Sequence, residues 1–324
     1  MMKCRLMSII LIICLAAAGS AAGDERAPKP IQTIPIEEIA PVQEGQHHYL
    51  LLCVDQWTSK PSNIGNTDGI VLVTLDTRAH RIMLTSLIRD ALVERPDGKI
   101  GRVNYIAKDN DPETLCRVLS THFGIRIEKY ILFCFGQIRD IVDYFGGVDI
   151  TINASEAHYM QINDIRPHPG APIITRPGTY HFAGRSAVIY MRIRKAGGGG
   201  DFMRTQRVRT VLSILADKCR EISYEDARAL VDVVLNNSTL TNMTLSDMLE
   251  AMDQAYSLRG CTLEELRLPP DGAVHGITYA GMSVQEVDWA ACRTALSNYL
   301  QNSFLVLDST GDDEFGEFAT FDGF

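Results

Sequence analysis

The chain has 324 residues, enough for one large domain or two small ones, and a hydrophobic content of 46% that supports a sizeable core. Its formal net charge of -9 argues against broad nucleic-acid binding, which needs a basic surface. The cysteines after the N-terminal segment form no C-x-x-C pair, so neither a zinc site nor a readable disulfide framework is predicted.

The N-terminus begins with a basic stretch at Lys3 and Arg5, followed by an apolar run from Leu6 to Leu15 and then by small residues. This order is typical of a cleaved signal peptide or of a single membrane anchor with its basic end in the cytoplasm; a buried core helix is the alternative. Residues 1–23 are therefore predicted to export the protein. The body of the chain then lies outside the cytoplasm, at the cell membrane or secreted if the signal is cleaved.

Residues 24–46 are rich in proline and charge and are predicted to form an extended linker. Apolar runs and helical spacings then alternate along the chain, which predicts a layered α/β domain with a mixed β-sheet over 47–307. The acidic segment 308–324 is predicted to be a disordered tail. The predicted strands are 47–55, 69–76, 81–90, 127–136 and 148–152, and the predicted helices are 111–124, 137–147, 184–190, 201–219, 224–236, 244–258 and 286–300.

Two charged residues fall on the apolar side of the predicted helix 201–219. At about 100° per residue, Asp201 and Arg204 project onto the stripe that contains Val208 and Val211. Buried charges are costly unless they are paired or hold a ligand. The pair is therefore either an internal bridge that fixes the loop or part of a binding site.

The hairpin formed by 69–76 and 81–90 brings further charges together. Pairing about the turn at Arg78 and Ala79 places Asp68 opposite Arg89 at the open end of the hairpin. Asp55 reaches the same end if its strand runs parallel to 81–87. Two carboxylates and an arginine there suit a divalent metal and a phosphate group, although surface salt bridges are the alternative.

The stretch YMRIRKAGGGGDFMRTQRVR, from Tyr190 to Arg209, gathers arginines around four glycines. In an extended chain Arg192 and Arg194 face the same side, and with Arg204 and Arg89 they could surround a polyanion. A pyrophosphate suits several forked guanidiniums better than one carboxylate does. Binding of an anionic lipid head group without chemistry is the alternative, and no Walker A motif follows the glycines.

Several stretches of the chain resemble the LytR–CpsA–Psr family of cell-wall glycopolymer ligases over about Tyr49 to Cys219. The stretches, in the family's order and spacing, are LLCVD, TDGIVLVTLD, SLIRD, RVNYIA, FGGVDITI, GTYHFAGRSAVIYMRIRK and GDFMRTQR. The resemblance implies an αβα fold with a core over 49–219. It also implies an exported enzyme, anchored in the membrane through its N-terminus, that moves teichoic acid or capsular polysaccharide from undecaprenyl pyrophosphate onto peptidoglycan.

By position, the resemblance implies that Asp55 and Asp68 bind Mg²⁺. It implies catalytic roles for Asp201, Arg89 and Arg204. The arginines that it implies for pyrophosphate binding are Arg89, Arg192, Arg194, Arg204 and Arg207.

This sequence departs from the family pattern at three positions, with Ile88 for proline, Thr67 for serine and Val208 for glutamine. The last change removes a polar group from the expected site. Two other functions therefore stay open, a hydrolase of polyprenyl pyrophosphates and a non-catalytic binder of lipid-linked polymers. A transcription regulator conflicts with the export segment and with the acidic charge.

Overall fold

A computed structural model describes residues 24–162, 171–193, 196, 200–236, 238–261 and 263–301, with the side chains at 24, 25, 162, 201 and 235 left out. The predicted export segment and acidic tail lie outside the described residues. In the described part of the chain, no helix has the length and apolar character needed to span a membrane.

The described residues form thirteen strands and nine α-helices. The strands are Asp24–Glu25 (β1), Gln46–Val54 (β2), Thr67–Asp76 (β3), Arg81–Leu87 (β4), Leu92–Glu94 (β5), Ile100–Arg102 (β6), Lys129–Cys134 (β7), Val148–Ile152 (β8), Gly178–Phe182 (β9), Leu240–Thr241 (β10), Leu263–Leu268 (β11), Val274–Tyr279 (β12) and Met282–Val287 (β13). The helices are Ile106–Asp109 (α1), Pro112–Phe123 (α2), Phe135–Tyr144 (α3), Ala154–Ile162 (α4), Gly184–Met191 (α5), Gly200–Glu221 (α6), Tyr224–Asn236 (α7), Leu245–Ser257 (α8) and Trp289–Gln301 (α9).

The centre of the molecule is a six-stranded mixed sheet in the order β10-β7-β2-β3-β4-β11. β2 and β4 are both antiparallel to β3, while β7 and β11 extend the sheet in parallel with β2 and β4. Because β2 and β4 run in the same direction, their carboxyl ends reach the same edge of the sheet. The predicted register of the β3–β4 hairpin is confirmed by the pairing of Asp76 with Arg81 and of Val71 with Ser86.

Alternation along β2 separates the two faces of this sheet. Leu50 and Leu52 are fully buried and pack in the main core together with α2 and α9, through Leu115 and Leu296 for example. Burying a leucine side chain of this kind stabilises the fold by about 1.5–3 kcal/mol. The residues between them, such as Leu51, are half-buried and face α7 and α8. Helices thus cover both faces, which confirms the predicted αβα arrangement.

The segment 24–46 is not the free linker that its proline content predicts. β1 pairs with β12, and the guanidinium of Arg26 binds the carboxylate of Glu286 at 2.8 and 2.5 Å. Further along, the N–H of Ile34 donates to the carbonyl of Thr121, and Ile39 is buried. Complementary charge and a few apolar anchors, which composition does not reveal, hold this segment on the domain.

Candidate anion-binding site

A β-bulge sets the position of Asp68. In the β2–β3 ladder Cys53 pairs with Gly69 and Val54 pairs with Thr67, so Asp68 is the extra residue of β3. Such a bulge redirects a side chain that regular alternation would place elsewhere. A Cβ atom at Gly69 would lie 2.9 Å from the Cβ of Cys53, so the two strands can approach this closely only because residue 69 is glycine.

The Asp68 carboxylate joins two arginines. Nη1 of Arg89 donates to both carboxylate oxygens, at 2.7 and 2.6 Å, and Nη1 of Arg204 donates to Oδ2 at 2.9 Å. The three side chains are between 5 and 14% exposed. The predicted pairing of Asp68 with Arg89 is confirmed, and Arg204 is buried as its place on the apolar stripe predicts.

Asp55 and Arg192 form a second, more exposed pair at the same edge of the sheet. Nη2 of Arg192 donates to Oδ1 of Asp55 at 3.2 Å, with 45% and 37% of the two side chains exposed. The guanidinium also lies over the ring of Phe135, 4.5 Å from its centroid. Arg192 caps the C-terminus of α5 with φ −88° and ψ −7°, so the chain is not extended at this residue, which was the condition for Arg192 and Arg194 to face the same side.

All of these residues except Arg89 border one cavity of about 360 Å³, here called the charged cavity. Four of its lining residues are the predicted Asp55, Asp68, Arg192 and Arg204. The other lining residues are Cys53, Gly69, Phe135, Ile138, Tyr159, Val188, Met191 and Val208. Burial, reinforced by the charge of Asp68, raises the pKa of the Cys53 thiol, so the cavity presents a neutral thiol rather than a thiolate. The arrangement can bind an anion through its arginines and hold apolar groups beside it.

Arg207 does not share this cavity, contrary to its predicted contact with pyrophosphate. Its side chain is 2% exposed, and its Nε donates to Oε1 of Glu156 at 2.7 Å. Its other nitrogens donate to the carbonyls of Ile193 and Ala196 at 2.8 and 3.3 Å. Arg207 therefore ties α4 and the segment after α5 to α6. Helical spacing indicated burial for Arg204 and not for Arg207, and no sequence pattern indicated the partner of Arg207 on a distant helix.

Other predicted residues lie outside the described part of the molecule. Arg194 and glycines 197–199 are in the gap before α6, and the side chain of Asp201 is not described although its backbone lies in the first turn of that helix. Their predicted roles in anion binding and catalysis stay predictions.

Two aromatic rings and two arginines form a row that begins at the lining of the charged cavity, with Phe135 and Arg192, and that the sequence did not predict. The guanidinium of Arg185 lies 5.1 Å from the ring centroid of Trp57, and Trp57 meets Phe135 edge-on at 5.9 Å. The guanidinium of Arg192 in turn lies over the ring of Phe135. These four side chains are here called the aromatic–arginine row. No sequence pattern indicated it, because its members come from three separate segments.

A second cavity of about 360 Å³, the apolar cavity, lies between the sheet and helices α6, α7 and α8. It adjoins the charged cavity along two shared elements. On β2, Tyr49 and Leu51 line the apolar cavity and Cys53 lines the charged one. On α6, Leu212 lines the apolar cavity and Val208, one turn earlier, lines the charged one. One face of the sheet thus changes from apolar to charged within two residues of a strand.

Comparison with known proteins gives matches over most of the chain. The LytR_cpsA_psr family matches residues 16–295. TagV of Bacillus subtilis, named a polyisoprenyl-teichoic acid–peptidoglycan teichoic acid transferase, is 22% identical over 223 residues, which are 68% of this chain and 55% of that relative. TagU of Bacillus mycoides, with the same description, is 25% identical over 258 residues, 77% of this chain and 76% of the relative.

A solved structure of TagT bound to LIIa-WTA superposes with a TM-score of 0.64 at 21% identity, covering 84% of this chain and 96% of TagT. This likeness shows that the fold is shared. The chain spans little more than half the length of TagV.

Proposed function

The chain belongs to the LytR–CpsA–Psr family, and on that premise we propose that it is an extracytoplasmic phosphotransferase. It moves a glycopolymer of the teichoic acid or capsular polysaccharide class from undecaprenyl pyrophosphate onto peptidoglycan. The names of TagV and TagU, and the wall teichoic acid bound to TagT, support this class of substrate.

The observation that carries the proposal is that residues of the two cavities follow one another on β2 and on α6. A polyprenyl pyrophosphate joins a long apolar chain directly to a strongly anionic group. The apolar cavity suits the chain, and the arginines of the charged cavity suit the pyrophosphate. Because Leu51 and Cys53 are successive residues on one face of β2, we propose that one donor molecule occupies both cavities, with its lipid chain beside Leu51 and its phosphates beside Cys53.

The reaction assigned to this site is a substitution at phosphorus. A sugar hydroxyl of the acceptor attacks the phosphorus next to the polymer, a new P–O bond forms, and the P–O bond to polyprenyl phosphate breaks. The hydroxyl proton leaves to solvent or to a nearby carboxylate. Arg192 and Arg204 bind the phosphate oxygens and stabilise the charge that grows on them, while Asp68 orients Arg204 and Arg89.

Mg²⁺ fits the two carboxylates of the charged cavity. This ion is usually held by one or two carboxylates together with substrate phosphates and water, which Asp55 and Asp68 can supply with the donor. Among the described residues no three His, Cys, Asp or Glu side chains group as ligands, so the site suits an ion shared with the pyrophosphate. When bound, Mg²⁺ would neutralise charge on the phosphate oxygens.

The location of the enzyme is part of the proposal. The basic and apolar N-terminal segment supports export and anchoring in the cell membrane, with the domain outside the cytoplasm. A membrane-bound carrier lipid is then within reach of the apolar cavity.

The test is to incubate purified protein with a lipid-linked pyrophosphate donor, peptidoglycan and Mg²⁺, and to measure polyprenyl phosphate and polymer-bound peptidoglycan. The expected result is release of polyprenyl phosphate that depends on the acceptor. Release that is equal with and without peptidoglycan would make the protein a hydrolase. Tight donor binding with no product under any metal condition would make it a binding protein.

A further inference from the structure

We propose that Arg185, held on Trp57, binds a carboxylate of the acceptor glycan and so forms an acceptor subsite outside the charged cavity. This inference rests on the function proposed above and adds the side from which the acceptor arrives.

The direction of β2 indicates that side. Tyr49 and Leu51 lie beside the lipid chain in the proposed complex, Cys53 and Asp55 lie beside the phosphates, and Trp57 follows beyond the end of the strand. In an in-line substitution the attacking oxygen enters opposite the leaving group. Because the leaving polyprenyl phosphate points back along β2 toward Leu51, the acceptor hydroxyl enters from the side of Trp57.

Trp57 is a rigid platform at that entrance. Its carbonyl accepts a hydrogen bond from the N–H of Gly136 at 3.0 Å, and the carbonyl of Gln56 accepts one from Phe135 at 2.8 Å. A Cβ atom at Gly136 would lie 2.5 Å from the Trp57 carbonyl oxygen, so this close approach requires glycine. The loop after β2 is thereby fixed on the start of α3.

Arg185 is the charged group on this platform. Its side chain is exposed, stacks on the Trp57 ring, and forms no salt bridge within the described residues. Arg185, Val188 and Arg192 share one face of α5, since they are three and seven residues apart. Val188 and Arg192 line the charged cavity. The same helix face therefore presents Arg192 to the donor and Arg185 to the acceptor. The rings of Phe135 and Trp57 lie between the two guanidiniums.

A guanidinium that lies over an aromatic ring keeps its N–H groups in its own plane, where they can fork a carboxylate. Peptidoglycan sugars and their peptides carry carboxyl groups, so this chemistry fits the proposed acceptor. The anionic repeats of the donor polymer have similar chemistry, and the experiment separates the two sources by measuring each substrate on its own.

The first measurement is binding without turnover. The chain has two tryptophans, and Trp289 is 3% exposed, with its indole N–H bonded to the carbonyl of Leu92. Changes in tryptophan fluorescence therefore report mainly on Trp57. Peptide-free peptidoglycan fragments, whose muramic acids carry carboxylates, are titrated against neutral chitotetraose. Trp57→Phe supplies the background signal.

The acidic fragments are expected to give a saturable change that chitotetraose lacks. Arg185→Ala should weaken it by about tenfold, the loss of one charge-assisted contact, with Arg185→Lys in between. Arg267→Ala is the matched control, because the guanidinium of Arg267 also lies over an aromatic ring, that of Phe202, at 4.7 Å from its centroid, and Arg267 lines neither the charged cavity nor the apolar cavity. Equal responses to both glycans, or an unchanged response in Arg185→Ala, would overturn the proposal.

The second measurement is turnover, with KM determined separately for acceptor and donor. Arg185→Ala should raise the KM for peptidoglycan and leave that for the donor unchanged. A rise confined to the donor would assign Arg185 to the donor polymer and refute the acceptor subsite. Glycan binding without any turnover in the parent would contradict the proposed transfer reaction but would leave the subsite standing.

Discussion

Replacing Asp68 with asparagine removes the negative charge that Arg89 and Arg204 share, while it keeps the shape of the side chain. The carboxylate is 7% exposed and lies 2.6 and 2.9 Å from the two guanidiniums. The amide nitrogen of the new residue would also face N–H donors. We therefore expect Asp68→Asn to fold but to be destabilised.

The size of the effect follows from burial. Removing one partner of a buried ion pair costs about 3–5 kcal/mol, and Asp90, 3.5 Å from Nε of Arg89, offsets part of the loss. A loss of about 3 kcal/mol lowers the melting temperature of a domain of this size by about 5 °C. Asp55→Asn is the matched control, because its carboxylate is 37% exposed and its ion pair contributes at most about 1 kcal/mol.

Thermal melts with and without inorganic pyrophosphate measure both effects. A pyrophosphate bound in the charged cavity should replace the missing charge, so it should raise the melting temperature of Asp68→Asn more than that of the parent. Turnover of Asp68→Asn should also lose its dependence on Mg²⁺. If Asp68→Asn and Asp55→Asn have the same melting temperature and pyrophosphate raises neither value, Asp68 is not the counter-ion of this site and the prediction is refuted.

Three further changes test other parts of the site. Arg192→Ala should leave the melting temperature unchanged and weaken donor binding by roughly 1.5–3 kcal/mol in a titration, because the side chain is exposed and contacts phosphate. Arg207→Met should cost about 3–5 kcal/mol in urea unfolding, since it leaves Glu156 buried and uncompensated. For His122, burial lowers the pKa from 6.5 to about 4, so the unfolded chain gains a proton first as the pH falls below 6.5. The unfolding free energy should then drop by about 2 kcal/mol between pH 7 and 5, and His122→Gln should lack this contribution.

Each of these has an outcome that would contradict it. A large fall in the melting temperature of Arg192→Ala would make this arginine a structural bridge. If the double variant Arg207→Met with Glu156→Gln is no more stable than Arg207→Met alone, the uncompensated charge of Glu156 is not the cause of the destabilisation. For His122, the exposed His275 supplies the control, and an equal pH dependence in His122→Gln and His275→Gln would refute the assignment.

Local patterns predicted the charged half of the site and could not predict the rest. The turn at Arg78 fixes the register of β3 and β4, so the pairing of Asp68 with Arg89 follows from counting residues. The burial of Arg204 follows from helical periodicity. By contrast, Glu156, whose carboxylate accepts a hydrogen bond from Arg207, lies 51 residues away in the sequence, and no local pattern at either residue predicts the contact.

The apolar cavity and the C-terminal hairpin were missed for different reasons. The cavity depends on how far α7 and α8 stand from the sheet, which is a property of packing rather than of sequence period. The hairpin of β12 and β13 turns at Ala280 and Gly281, both with positive φ. Such turns favour Asn-Gly or Asp-Gly, and alanine at the first position hid the signal. The continuous apolar run of β2 predicted a buried strand, but not that the residues on one of its faces are half-buried and line cavities.

The parallel pairing of β1 with β12 has a consequence for the order in which the chain folds. Asp24 and Glu25 lie opposite Ile277 and Thr278, so β1 can pair only after β12, one of the last strands in the chain, has been synthesised. Contacts between residues so distant in sequence form slowly, because the entropy of closing the loop is lost before the contact stabilises anything. The edge that β1 joins is made when β12 pairs with β13. During synthesis the segment that begins at Asp24 therefore docks only after β12 and β13 have formed, and its docking marks the completion of the domain.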